Sequence, residues 1–163
     1  ERFLEICTEG NEIHLKTSPI KGTSSSPEFG EKDRSENIMI ADLMRNDLSE
    51  ICEGGSIDVS RLLGIESHPG LFHLVSDVVG VLKGPLSNIA KILPPGSISG
   101  APKSAALKII ASHEKERNSY CGVLGYIHRK NGVVTGKLSV GIRLFFIHDE
   151  KLKFGTEIGR AHV

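Results

Sequence analysis

In SPIKGT, residues 18–23, one amine stands between an apolar Ile20 and a Gly22-Thr23 pair, in a stretch that Pro19 and Gly22 punctuate as a loop. Lys21 is either a solvated surface charge or an amine placed for chemistry. As a nucleophile it must lose its proton, which burial or neighbouring cations favour. Glu36, three residues after Asp33 in KDRSEN, also has two readings. It fits a capping box, with Asp33 as the cap and Glu36 reaching back to a free backbone N–H. It fits equally a carboxylate projecting into a cleft to bind Mg²⁺, a hard cation that takes carboxylate oxygens and keeps several waters. Asp42, Arg45, Asn46 and Asp47 continue the polar run, which has the same two readings: a site face, or equally a solvated face with Asp-to-Arg pairs.

PGSISGAPK, residues 95–103, is the second segment of interest. Gly96 and Gly100 let the backbone come close to a ligand. A helix starting near Pro102 aims free N–H groups and a partial positive charge at whatever precedes it. The segment is a cradle for a carboxylate or phosphate, or simply a turn that starts a helix. It is not a P-loop, because Ala101-Pro102 stand where Gly-Lys belongs. GVVTGKL, residues 132–138, also fails that pattern and joins strands instead of opening a helix.

Two polar side chains interrupt apolar runs. His73 in LFHLVS is a half-buried strand residue or a site residue. Arg143, among Val140, Ile142, Leu144 and Phe145, must point to a wet face or pair with an anion inside, where a guanidinium suits a bidentate carboxylate. Tyr126 in GYIH either offers its hydroxyl to that same anion or sits at an amphipathic edge.

The elements that must position these residues read as α+β. Residues 2–8 and 11–17 form an antiparallel strand pair turned at Glu9-Gly10, and SPIKGTSSSPEFG follows as a loop. From Asp33 to about Ile51 the pattern is helical: Ile40, Met44, Leu48 and Ile51 form an apolar stripe that Met39 and Leu43 widen. Residues 71–83 read as a long strand, 86–93 as a short helix and 102–115 as a helix. Strand-like runs at 120–129, 134–147 and 151–155 complete a mainly antiparallel sheet with helices packed outside.

Composition narrows the function classes. The chain has 163 residues, 39% hydrophobic and 25% charged, which fits one globular domain. Lys plus Arg balance Asp plus Glu at 20 each, so no net field draws in a nucleic acid or an anionic membrane. No apolar run approaches the roughly 18 residues that a membrane span requires. Cys7, Cys52 and Cys121 are odd in number and far apart, which predicts buried free thiols in a reducing cytosol and neither a disulfide framework nor a zinc site.

The identity and order of the segments are more specific than any one of them. SPIKGT, KDRSENIMIADLMRNDLSEIC, HLVSDVVGVL, PPGSISGAPKSAALKII, YCGVLGY and IR together resemble the chorismate-utilising enzymes, a family that includes anthranilate synthase component I, aminodeoxychorismate synthase component I and the isochorismate and salicylate synthases. The resemblance implies an α+β fold with its site in a central cleft. It makes Glu1 the general acid that protonates the departing ring hydroxyl and Glu36 a Mg²⁺ ligand. His73, Ser97, Tyr126 and Arg143 would line the chorismate pocket, with backbone amides supplied around Gly96 and Gly100. PIKGT, in place of PIAGT, resembles the aminodeoxychorismate branch of 4-aminobenzoate and folate synthesis, in which Lys21 attacks the ring. A glutamine amidotransferase subunit or domain would supply the ammonia, and the chain would be cytoplasmic. The resemblance further implies elements on both sides of residues 1–163, so that the chain is a single partial catalytic domain ending in GTEIGRAHV, where Thr156 and Glu157 stand on ground the family keeps small. The same features are compatible with an anthranilate or isochorismate synthase, or with a non-catalytic remnant that keeps the fold as an interaction module.

Overall fold

The computed structural model describes residues 1–155 apart from 115 and 116. Thr156 and Glu157 lie outside the described residues. The fold is α+β and its strand pairs are antiparallel. β1 (Arg2–Glu9) and β2 (Glu12–Thr17) form the expected hairpin. Its turn contains Gly10 at φ 62°, a left-handed conformation that glycine adopts without Cβ strain.

The centre of the sheet is β5 (Leu71–Val81). One edge of β5 pairs with β4 (Asp58–His68); the other is shared end to end by β2, along Val78–Val81, and β3 (Ile20–Ser24), along Phe72–Val75. Beyond β2 the sheet continues through β1 to β7 (Val133–Val140) and β6 (Val123–Lys130). β8 (Phe145–His148) and β9 (Lys151–Phe154) form a separate hairpin.

α1 (Glu31–Ser49) lies on one face of this sheet. The expected stripe packs as predicted, with Ile40, Met44, Leu48 and Ile51 buried against Leu4, Ile6, Leu15 and Val78. Each such side chain removed from water contributes about 1.5–3 kcal/mol. Leu43 is half-buried beside them, but Met39 is exposed and does not widen the stripe. A 3-10 helix (Leu86–Ile92), a single turn α2 (Gly96–Ser99) and α3 (Lys103–His113) follow β5. Among the described residues no helix is long and apolar enough to cross a membrane.

Four local expectations are corrected. The capping box does not form: α1 starts two residues before Asp33, and its N-cap is Gly30, with no side-chain hydrogen bond. The Ser-rich loop contains β3, because strand pairing with β5 satisfies backbone groups that composition alone leaves to solvent. The run 134–147 is broken after Val140, where Arg143 adopts a left-handed φ of 53°. Cys7 is only half-buried, whereas Cys52 and Cys121 are buried; all three are free thiols.

Candidate active site

Five residues singled out in the sequence, Glu1, Lys21, His73, Ser97 and Arg143, line one cleft of about 280 Å³, with Ile20, Ile98 and Ile142 among its walls. They come from distant parts of the chain, and each is set in place by backbone geometry.

Lys21 sits on a β-bulge. Ile20 opposes Val75 and Thr23 opposes His73, so β3 spends three residues where β5 spends two. A bulge bends the strand and re-aims a side chain. Gly22 makes the bend possible. Its φ is 96°, and a Cβ there would meet Phe29 Cδ1 at 3.0 Å and the Cβ atoms of Asp33 and Leu74 at 3.2 Å. The Lys21 carbonyl accepts a hydrogen bond at 3.4 Å from the side-chain amide of Asn37, which also donates to the Leu74 carbonyl at 2.9 Å. Asn37 is fully buried, and its oxygen accepts from the Ser76 hydroxyl. α1 therefore fixes the backbone on which Lys21 stands.

The approach to the bulge is held as well. The Ser18 hydroxyl donates to Asp77 Oδ1 at 2.6 Å, and the Ser76 amide donates to the Pro19 carbonyl at 3.3 Å. Asp77 Oδ2 also meets Arg61 Nε at 2.8 Å and Lys16 Nζ at 3.1 Å. Burial alone would push the Asp77 carboxyl up, but the hydrogen bonds from Ser18, Arg61 and Lys16 outweigh it and hold the carboxyl below its ordinary range.

Glu1 carries its carboxyl into the cleft from the start of β1, while its carbonyl accepts the Val140 amide at 3.0 Å. Although part of the residue is exposed, loss of hydration around the carboxyl raises its pKa against the opposing effects of the Ile20 backbone, Lys21 and Arg143. A carboxyl of this kind keeps its proton to higher pH, as a general acid requires. The His73 imidazole is shifted the other way. Burial, the neighbouring His68 ring at 4.9 Å and Arg143 lower its pKa, against a smaller opposing effect of Glu66. Arg143 reaches the cleft from the left-handed bend after β7, a position that strand alternation does not predict. An amine, a guanidinium, an acid and an imidazole around one small hollow suit an anionic substrate whose chemistry needs proton transfer.

Three groups of expected residues are placed elsewhere. Tyr126 is exposed on β6 and does not line the cleft. Gly96 and Gly100 border a separate groove on the far side of Ser97. Their amides are occupied within the chain: Gly96 donates to Asp47 Oδ2 at 2.8 Å and Gly100 to the Gly96 carbonyl at 2.9 Å. The anion that the glycine-rich segment cradles is thus Asp47. That residue belongs to the polar run of which one reading is a solvated face, yet it is buried; its spacing from Ile40 and Met44 on the same helix face was the available signal. Asn37 was missed for a similar reason, since a buried asparagine in a helix is disclosed only by the carbonyls it meets.

Glu36 stands half-buried on α1, 4.0 Å from Lys32. Among the described residues no three His, Cys, Asp or Glu side chains gather as a metal site. Mg²⁺ wants near-octahedral oxygen ligation, and a single carboxylate already facing an ammonium does not provide it. The described residues therefore do not complete a Mg²⁺ site.

The sequence is similar to those of known proteins along nearly all its length. A family model described as chorismate binding enzyme matches residues 1–158. The chloroplastic aminodeoxychorismate synthase of Arabidopsis thaliana is 37% identical over 173 residues, covering 96% of this chain and 18% of that protein. Aminodeoxychorismate synthase component 1 of Klebsiella aerogenes is 41% identical over 145 residues, covering 78% of this chain and 31% of the relative. The crystal structure of anthranilate synthase component I from Streptococcus pneumoniae TIGR4 superposes with a TM-score of 0.69 at 27% identity, over 92% of this chain and 35% of that one. The chain thus spans a third or less of the length of these curated relatives.

Proposed function

From the premise that the chain belongs to the chorismate binding enzymes, we propose that it carries the reacting centre of an aminodeoxychorismate synthase component I, which converts chorismate and ammonia to 4-amino-4-deoxychorismate. The observation that carries this reading is the position of Lys21 on the β3 bulge, in one cleft with Glu1 and Arg143. The identities of 37% and 41% to proteins named aminodeoxychorismate synthase support the same branch.

In this reading Arg143 pairs with a substrate carboxylate and orients the ring. The neutral Lys21 amine attacks ring carbon 2, forming a C–N bond. The ring double bond shifts, and the carbon 4 hydroxyl departs as water with a proton from Glu1. Ammonia then bonds to carbon 4, the double bond returns, and the carbon 2–nitrogen bond breaks to release the Lys21 amine. The hydrophobic walls Ile20, Ile98 and Ile142 limit water, which would otherwise compete with ammonia. Ammonia would come from a glutaminase partner, in keeping with the name component 1 of the relatives. Mg²⁺, if it binds at Glu36, needs ligands beyond the described residues, and no step here passes through it.

The test is Lys21→Ala in the full-length protein, with the products of chorismate and ammonia separated chromatographically. Loss of 4-amino-4-deoxychorismate supports the reading. Undiminished formation removes the covalent role of Lys21, and anthranilate as the product would instead place the chain with the anthranilate synthases of the same family.

A further inference from the structure

The segment that brings Ser97 and Ile98 to the cleft has little secondary structure of its own. α2 is one turn, closed by the Gly100 amide on the Gly96 carbonyl and by the Ser99 hydroxyl on the Pro95 carbonyl at 3.0 Å. A single turn does not hold itself in water, because nucleating a helix costs more than one hydrogen bond returns. What holds it is an ion pair with a buried carboxylate and a partly buried ammonium. The Asp47 carboxylate is 1% exposed; its Oδ2 accepts the Gly96 amide at 2.8 Å and its Oδ1 meets Lys103 Nζ at 2.7 Å. Lys103 Nζ donates in turn to the Ile92 carbonyl at 3.1 Å. One pair of charges therefore gathers the start of the segment at Ile92, its middle at Gly96 and its end at Lys103.

The approach is close enough to demand glycine. A Cβ at position 96 would stand 2.9 Å from Asp47 Oδ2 and 3.0 Å from Leu43 Cγ. An ion pair built on a buried carboxylate is a poor choice for stability alone, since desolvation offsets much of the attraction and apolar side chains of similar size often serve as well. Its three directed contacts define position more sharply than an apolar patch does.

We propose that Asp47 and Lys103 are positioning residues: together they fix the register of Gly96–Ser99 so that Ser97 and Ile98 form the cleft wall that faces Lys21 and His73. The proposal rests on the chorismate reading only for the substrate used in its kinetic test.

Two measurements on the full-length protein decide it. In hydrogen exchange, Asp47→Asn speeds exchange at Gly96–Gly100 while the middle of α1 and the sheet stay protected. Faster exchange throughout α1 and the sheet would overturn the proposal. In steady-state kinetics with chorismate, Asp47→Asn raises KM about tenfold, and adding Ser97→Ala to it changes KM no further, although Ser97→Ala alone raises KM. The charge-free pair Asp47→Asn with Lys103→Met recovers the thermal midpoint and leaves KM high. If KM follows the midpoint back to the wild-type value, if the Asp47 and Ser97 effects multiply, or if Ser97→Ala alone is silent, the positioning role is overturned. Local loss of protection in a protein that does not consume chorismate would uphold the clamp and remove only the chorismate reading.

Discussion

The side-chain amide of Asn37, buried under the sheet, donates to the backbone carbonyl of Lys21 at 3.4 Å. The same nitrogen serves Leu74 and the oxygen serves Ser76, whose hydroxyl accepts the Leu63 amide at 3.0 Å. Asn37→Ala leaves buried polar groups on β5 without partners, each worth about 1–3 kcal/mol. Urea unfolding is expected to show a loss of about 2–3 kcal/mol, together with a fall in turnover larger than any substitution on the exposed face of α1 produces.

Gly22 is predicted to tolerate no side chain. Gly22→Ala combines a left-handed φ with contacts at 3.0–3.2 Å to Phe29, Asp33 and Leu74. The strained backbone costs about 1–2 kcal/mol and the crowding a similar amount. Thermal unfolding of the variant should fall accordingly, and activity should drop further than stability because the bulge that aims Lys21 is the part displaced.

Asp77 sets the acid limb of stability. Its native pKa lies below the ordinary 3.8, so its contribution is complete above the unfolded value and is lost as pH falls through the native one. Denaturant unfolding between about pH 5 and pH 2 should therefore show stability declining with acidity, with Asp77→Asn about 2 kcal/mol less stable at neutral pH and flatter toward acid. A variant with the wild-type slope would contradict the assignment.

Glu1 gives the opposite sign. Its native pKa is raised above the ordinary 4.5, so the protonated carboxyl favours the folded state below 4.5, and this contribution is lost as pH rises through the native value. As a general acid it should make kcat fall on that same rise. Glu1→Gln, which cannot release a proton, should lose about 10²-fold or more in kcat across the pH range and abolish this limb.

Much of the fold was legible in the sequence because periodicity reports burial directly. Ile40, Met44, Leu48 and Ile51 declare the α1 face, and the alternating runs declare β1 and β2. β4 was illegible: its burial alternates between exposed and half-buried, its register shifts twice, and Leu63 takes a left-handed φ of 55°. β3 was hidden by serine, proline and glycine, which describe its ends and its bulge rather than its pairing. Among the site residues, Glu1, Lys21, His73, Ser97 and Arg143 meet in one cleft. The glycine-rich segment misled because two glycines announce a close backbone approach without saying to what, and here the partner is Asp47. Tyr126 lies on β6, which is exposed on both faces from Leu124 to Lys130.

The most direct measurement is peptide mass spectrometry of the full-length protein mixed with chorismate in the absence of ammonia and glutamine. Attack by the Lys21 amine with departure of the carbon 4 hydroxyl predicts an adduct with the mass of chorismate less one water on the peptide containing Lys21, released when ammonia is added and absent in Lys21→Ala. An unmodified Lys21 peptide, in a protein that still aminates chorismate when ammonia is supplied and does so equally well after Lys21→Ala, would contradict the account.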